Sequence, residues 1–316
     1  MDNLTHSLIG AVLGQAGLKR RTGLAMPALV IGANLPDVDT ACFLWLDGVE
    51  HLGFRRGITH GPPALVILPL LLAAALLGFD RWQARRRTRP ETRLPVRFTW
   101  LYLLALIGCL THPLFDWFNV YGIRLLEPFS SQWFHADVLF IVDVWLWALL
   151  GFAVWFSRRR ERQGGDWARP ARIAVAVTIG YLGLNGAITT RAEAASKASP
   201  LHPRTVIASP VPIRFWAREQ VIQLRNGTWL SSAWTGAAAG SGYAYPEAQL
   251  CRMPAPAQLA AGGPQVAAFL FWSQAPFAER SAQGTVILRD ARFYDPLARD
   301  RFTVQLPQVA CIPLER

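Results

Sequence analysis

"FTWLYLLALIGCLTHPLFDWF", residues 98–118, decides how the rest of the chain reads. It is about as long as the ~20 residues a helix needs to cross a bilayer. It holds no Lys, Arg or Glu, yet it carries His112 and Asp116 near its end. An ionisable side chain at the centre of a membrane helix costs roughly 2.5–3.5 kcal/mol on insertion scales, so two of them need compensating partners. Positions i and i+4 share a helical face, which lets His112 and Asp116 reach one ion. Pro113 between them lacks an N–H and can open the helix locally.

Composition points the same way. Of 316 residues, 52% are hydrophobic and 17% charged, against about 25% charged in soluble domains. Apolar runs near the length of a span recur at 62–79, 138–156 and 171–190, with shorter ones at 7–18 and 23–35. The first run follows acidic Asp2 with no basic region before it, so no cleavable signal peptide is expected. A net charge of +11 would suit nucleic acid if it formed a patch on a soluble domain. Here the arginines flank apolar runs, in "DRWQARRRTRPETRLPVR" (80–97) and "SRRRERQGGDWARPAR" (157–172), and no nucleic-acid partner is expected.

Short Arg-rich loops stay in the cytoplasm. With 80–97 and 157–172 inside, and Lys19, Arg20 and Arg21 beside them, His6, Asp37, Asp39, His60, His112, Asp116 and Asp143 all fall at the opposite membrane face. The chain after about residue 191 then lies outside. Its stretches "TVIASPVPIRFW", "GTVILRD" and "RFTVQL" are rich in β-formers and broken by Gly and Pro. The expected fold is a mostly α membrane protein. A multi-helix transmembrane bundle over 1–192 is followed by a small β-rich extracytoplasmic C-terminal domain over 193–316. Cys251 and Cys311 would both lie outside, where a disulfide can form; Cys42 and Cys109 read as packing residues. "SSAWTGAAAGSG" (231–242) reads as a loop, since no Lys-Ser/Thr follows to make a phosphate cradle.

Imidazoles with carboxylates and no cysteine suit Zn²⁺ first, with Mn²⁺ or Fe²⁺ as alternatives. Asp37 and Asp39, two apart after Pro36, suit an irregular segment presenting both carboxylates. Three of the six histidines follow Thr, in "LTHS", "ITHG" and "LTHP", which suggests a hydroxyl or backbone group orienting each ring. Each residue also has a plainer reading. A His at a helix end is commonly interfacial, Asp37 suits a helix cap, and an intramembrane Asp pairs with Arg or lines a transporter's cavity. Arg124, in the 119–137 loop, is a candidate for an anionic substrate group or a headgroup anchor. His135 and Asp137 are further candidate ligands. Trp117, Trp133, Trp145 and Trp147 suit an interfacial aromatic belt.

Taken together, "MDNLTHSLIG", "NLPDVDT", "RRGITHG", "LTHPLFDWFNVYGIRLLEPFS" and "DVLFIVD" resemble the YdjM-like membrane-bound metal-dependent hydrolases over roughly residues 1–150. "LRDARFYDP" (288–296) and "FTVQL" are similar to the C-terminal domain of longer members. The resemblance implies a bacterial inner-membrane protein, distantly related to the all-helical zinc-dependent phospholipase C superfamily. It places His6, Asp37, Asp39, His60, His112 and Asp116 at the family's metal positions, Asp143 in its "FIxD" motif and Asp2 in its opening "MD". Many relatives read "HRGxTHS", whereas this chain has Arg56 in place of that His and Gly61 in place of the Ser. Arg56 is thereby a candidate for holding a phosphate, and Asp37, Asp39 or Asp143 for acting as general base. The implied activity is hydrolysis of a phosphoester, in a lipid or lipid-linked substrate, by metal-activated water at the outer face. A non-enzymatic scaffold or transporter with a structural metal is the alternative. Oligomeric state stays open.

Overall fold

The computed structural model describes residues 1–225, 227–236, 243–244, 249–294 and 298–314. Of the Ala/Gly-rich stretch expected as a loop, Ser231–Trp234 are strand instead, and it lies outside the described residues from 237 on, as do positions 295 and 296 of the C-terminal motif. The chain divides into two compact units, Met1–Val38 with Arg56–Gly186 and Asp39–Arg55 with Ala187–Arg316. The helices are α1 (Asn3–Gln15), α2 (Ala25–Gly32), α3 (His51–Phe54), α4 (Pro62–Arg85), α5 (Phe98–Trp117), α6 (Val144–Arg162), α7 (Ala168–Lys197), α8 (Pro256–Ala261) and α9 (Gly263–Trp272).

Among the described residues α4, α5 and α7 are long and apolar enough to cross a membrane. Pro62 and Pro63 start α4, where a missing N–H is harmless. The stripes Val66, Ile67, Leu70, Leu71 on α4 and Leu103, Ile107, Leu110, Leu114 on α5 are exposed. Apolar faces of that length belong against lipid rather than water. The run at 138–156 departs from the expected span. Its helix starts only at Val144, because Asp143 turns its carboxylate back to cap the backbone N–H groups of Trp145 (3.0 Å) and Leu146 (2.9 Å). Asp143 therefore stands at the helix start and not inside it.

Backbones meet closely in the first unit. A Cβ on Gly10 would lie 2.7 Å from the Leu29 carbonyl oxygen, and one on Gly108 would lie 2.5 Å from the same atom. A Cβ on Gly32 would meet the Ala105 oxygen at 2.6 Å. These glycines seat α2 between α1 and α5. Leu29, Leu101 and Leu104 pack there with Ala73 and Leu76 of α4. On the other side of α1, Ile9 and Val12 pack against Leu146, Leu150 and Ala153 of α6. α1 and α6 run parallel: Trp147 Nε1 donates to Thr5 Oγ1 (2.9 Å) toward one end, and Lys19 meets Glu161 (2.5 Å) at the other. Lys19 and Arg20 lie over the Trp167 ring, Arg172 Nε donates to the Ala16 carbonyl, and Arg21 lies over Trp100. The three basic segments thus gather at one end of this unit.

The second unit holds two antiparallel four-stranded sheets. β1 (Thr205–Pro210), β2 (Arg218–Gln223), β3 (Trp229–Trp234) and β4 (Tyr243–Ala244) form one in that order. β5 (Leu250–Cys251), β6 (Pro276–Arg280), β7 (Thr285–Asp290) and β8 (Thr303–Ala310) form the other. Ile207, Val221 and Trp229 share a core with Leu250 and Phe277. The end of α7 packs on the first sheet through Gln220 Nε2 to the Ala192 carbonyl (2.5 Å) and Arg218 Nε to Thr189 Oγ1 (2.9 Å). Cys251 and Cys311 are disulfide-bonded across 60 residues of sequence. At the end of β7, Asp290 pairs with Arg292 (2.8 Å) and accepts from Ser273 Oγ (2.5 Å). Burial pushes the Asp290 carboxyl up, but the Arg292 guanidinium and the hydrogen bonds outweigh it and hold the group below the usual carboxylate range.

Candidate metal centre

Four segments of the first unit bring their polar residues to one buried cluster. α1 supplies His6, one turn in from its Asp2 cap. The irregular chain around α2 and α4 supplies Asp37 and His60. The last turns of α5 supply His112 and Asp116. His6, Asp116 and His112 each offer an atom within 4.8 Å of the other two, and so do Asp37, His60 and His112. His112 belongs to both triads.

The spacing is that of ligands rather than of hydrogen bonds. His112 Nε2 lies 3.5 Å from Asp116 Oδ2 and 3.7 Å from Asp37 Oδ1. His6 Nε2 lies 3.5 Å from Asp116 Oδ1, and His60 Nε2 lies 3.6 Å from Asp116 Oδ2. Donor–acceptor pairs prefer 2.7–3.2 Å, whereas two ligands on a tetrahedral ion with ~2.0–2.1 Å bonds stand about 3.4 Å apart. Among the described residues, both ring nitrogens of His6, and His112 Nε2, are buried with no hydrogen-bond partner. On the far side of the ring, His112 Nδ1 donates to the Ala33 carbonyl at 2.7 Å. A carbonyl can only accept, so the proton sits on Nδ1 and Nε2 presents its lone pair to the cluster. The residues present fit a divalent ion, and the all-N/O donor set suits zinc.

Arg56 completes the cluster in an unexpected way. Its Nε approaches Asp116 Oδ2 at 3.0 Å, and its Nη1 donates to Asn119 Oδ1 (3.0 Å) and to the Gly122 carbonyl (3.2 Å). Its guanidinium lies over the Tyr121 ring at 4.4 Å. The backbone there is left-handed, with φ 55°, a conformation a non-glycine residue keeps only where its surroundings require it. The Met1 amino group also meets Asp116. Asn119 and Tyr121 were not singled out by sequence. Their signal was the spacing "DWFNVYG", which puts an amide three residues after Asp116, where Asn119 Nδ2 faces it at 3.4 Å.

Other candidates have other neighbours. Asp39 belongs to the second unit, where its carboxylate meets Arg55 Nε at 3.4 Å. Asp143 caps α6 and accepts from Tyr181 OH (3.0 Å). Arg124 is buried, pairs with Glu127 (2.9 Å) and lies over Trp133. His135 stacks on Trp133 as well, and neither it nor Asp137 belongs to either triad. The Thr-His pairs divide. Thr59 Oγ1 touches His60 Nδ1 at 2.9 Å, but Thr5 bonds Asp2 and Trp147, and Thr111 bonds the Gly108 carbonyl.

A model of the YdjM inner membrane protein family matches residues 1–192. YfhP of Bacillus subtilis (strain 168), described as an uncharacterised protein, is 28% identical over 167 residues, covering 50% of this chain and 47% of that protein. The chain thus spans about half the length of the relative it matches. No solved structure matches, and none of these likenesses reaches the zinc-dependent phospholipase C superfamily. The family match takes in α1 to α6 and most of α7, with every residue of both triads, so the chain belongs to the YdjM inner membrane protein family.

Proposed function

We propose that the protein is a metal-dependent hydrolase of the inner membrane, acting on a phosphoester of a lipid or lipid-linked substrate at the outer face. The observation that carries this reading is the convergence of His6, Asp37, His60, His112 and Asp116 at ligand spacing, with lone pairs left over on buried imidazoles. These five residues would hold the ion, zinc first. A bound divalent ion supplies a water of near-neutral pKa and polarises a phosphoryl oxygen. Arg56 pairs with Asp116 and keeps its carboxylate turned into the cluster, which makes it a positioning residue. The basic segments gathered at one end of the first unit support the outer face for the site. The Cys251–Cys311 bond agrees, since it suits an oxidising compartment.

One observation favours a second reading, a structural metal in a non-enzymatic membrane protein. His6, His60, His112 and Asp116 are each 0% exposed, and structural sites are closed where catalytic ones keep an open position. Elemental analysis of detergent-purified protein, with a phosphoester panel run with and without chelator, separates the two. Stoichiometric metal with chelator-sensitive hydrolysis supports the enzyme. Stoichiometric metal with no hydrolysis of any phosphoester supports the structural role. Full metal content in a His112→Ala variant overturns both.

A further inference from the structure

Away from the metal centre, the seam between α1 and α6 opens into a groove of ≈ 550 Å³, within the size range of ligand sites. Its floor is apolar, with Leu8, Val154 and Trp155, and its far end is ringed by Arg158, Arg159 and Arg162. We propose that this groove binds one anionic glycerophospholipid of the bilayer, an acyl chain along the floor and the phosphate among the three guanidiniums.

Dimensions and charge both select that occupant. From Gly151 to Arg162 the helix rises about 16 Å at ~1.5 Å per residue, roughly half of the ~30 Å hydrocarbon core and so the depth of one leaflet. Apolar residues line the stretch that would sit at acyl depth, and the cations begin where headgroups would begin. No carboxylate lines the groove. Glu161, the one acidic residue within the Arg run, is turned to Lys19 at 2.5 Å. Arg159 is steadied over the Trp155 ring at 5.7 Å. Three arginines with no counter-charge among the described residues favour a phosphate whose headgroup carries no ammonium, because basic pockets between membrane helices select anionic lipids.

The test is native mass spectrometry of the full-length protein in detergent, titrated with phosphatidylglycerol or phosphatidylcholine of identical chains. Phosphatidylglycerol adducts are expected at roughly tenfold lower lipid concentration than phosphatidylcholine adducts, about what one or two arginine contacts supply. The combined Arg158→Gln, Arg159→Gln, Arg162→Gln variant should lose that preference. Gly151→Leu is an independent block of the floor. Its added Cβ meets nothing within 4 Å, so the fold is kept while uptake of both lipids falls. Equal uptake of the two lipids by the unaltered protein overturns the proposal, as does unchanged uptake in both variants. A change in dimer content with Gly151→Leu and none in lipid uptake would instead give the groove to a second copy of the chain.

Discussion

His112 sits in both triads, fixed on its far side by the Ala33 carbonyl, so its loss removes a candidate ligand from each. His112→Ala should bring bound metal down by at least about tenfold, and more than His6→Ala or Asp37→Ala alone, as read by elemental analysis. Arg56 tests the other side of the cluster. Removing one partner of a buried ion pair costs up to about 3–5 kcal/mol when the other is left alone, and less here, where the Met1 amino group still faces Asp116. Arg56→Gln should therefore lower the melting temperature of chelator-treated protein, with added zinc restoring part of the loss by neutralising Asp116 directly. An unchanged melt would remove Arg56 from its positioning role. At this scale the candidate ligands stood out because His and Asp in an apolar run demand partners. Ala33, Asn119 and Tyr121 were not, since a carbonyl, an amide and a ring next to a motif look ordinary until folding places them.

The ligand geometry depends on how α2 lies between α1 and α5. Gly108, one turn before His112, lets α5 approach the Leu29 carbonyl, and nothing larger fits without a shift. Gly108→Ala should destabilise by about 1–3 kcal/mol, as overpacking does, and should weaken metal retention by moving His112 off Ala33. Loss of stability with full metal retention would show that the packing is separable from the site. In the second unit, β7 ends in the buried Asp290–Arg292 pair, which gives stability a defined pH dependence. Asp290 is held below its unfolded value, so its contribution is present above about pH 4 and is lost as pH falls through the lower folded value. Asp290→Asn should therefore unfold more easily at pH 7, by about 3 kcal/mol, and the gap to the unaltered protein should narrow in acid. Melts followed by Trp fluorescence across pH 2.5–7 read this directly, and a gap that widens in acid would contradict the assignment.

For the whole molecule, the proposed topology puts the basic segments inside and the chain after about 191 outside. A periplasmic reporter such as alkaline phosphatase should be active when fused after residue 314 and inactive when fused within 86–97; the reverse pattern would invert the proposed membrane orientation. The helical part with its apolar runs, and the β-rich character of the C-terminal part, were readable because hydropathy and β-propensity are local properties of the chain. The grouping of Asp39–Arg55 with the second unit was not, because it depends on packing between segments far apart in sequence, such as Gly53 of α3 against Ala268 of α9. The start of α6 was not readable from hydropathy for a related reason: whether Asp143 caps a helix or lies within it depends on where its carboxylate turns.

The amino-acid sequence by itself determined that this is a helical membrane protein of the YdjM family and which imidazoles and carboxylates need partners. Burying such groups is costly enough to leave a mark in any apolar run. Only the tertiary structure decided that five of them meet as two triads sharing His112. It alone placed Arg56 against Asp116 and opened a cationic groove along α6, because distances between remote segments are set by packing and not by local pattern.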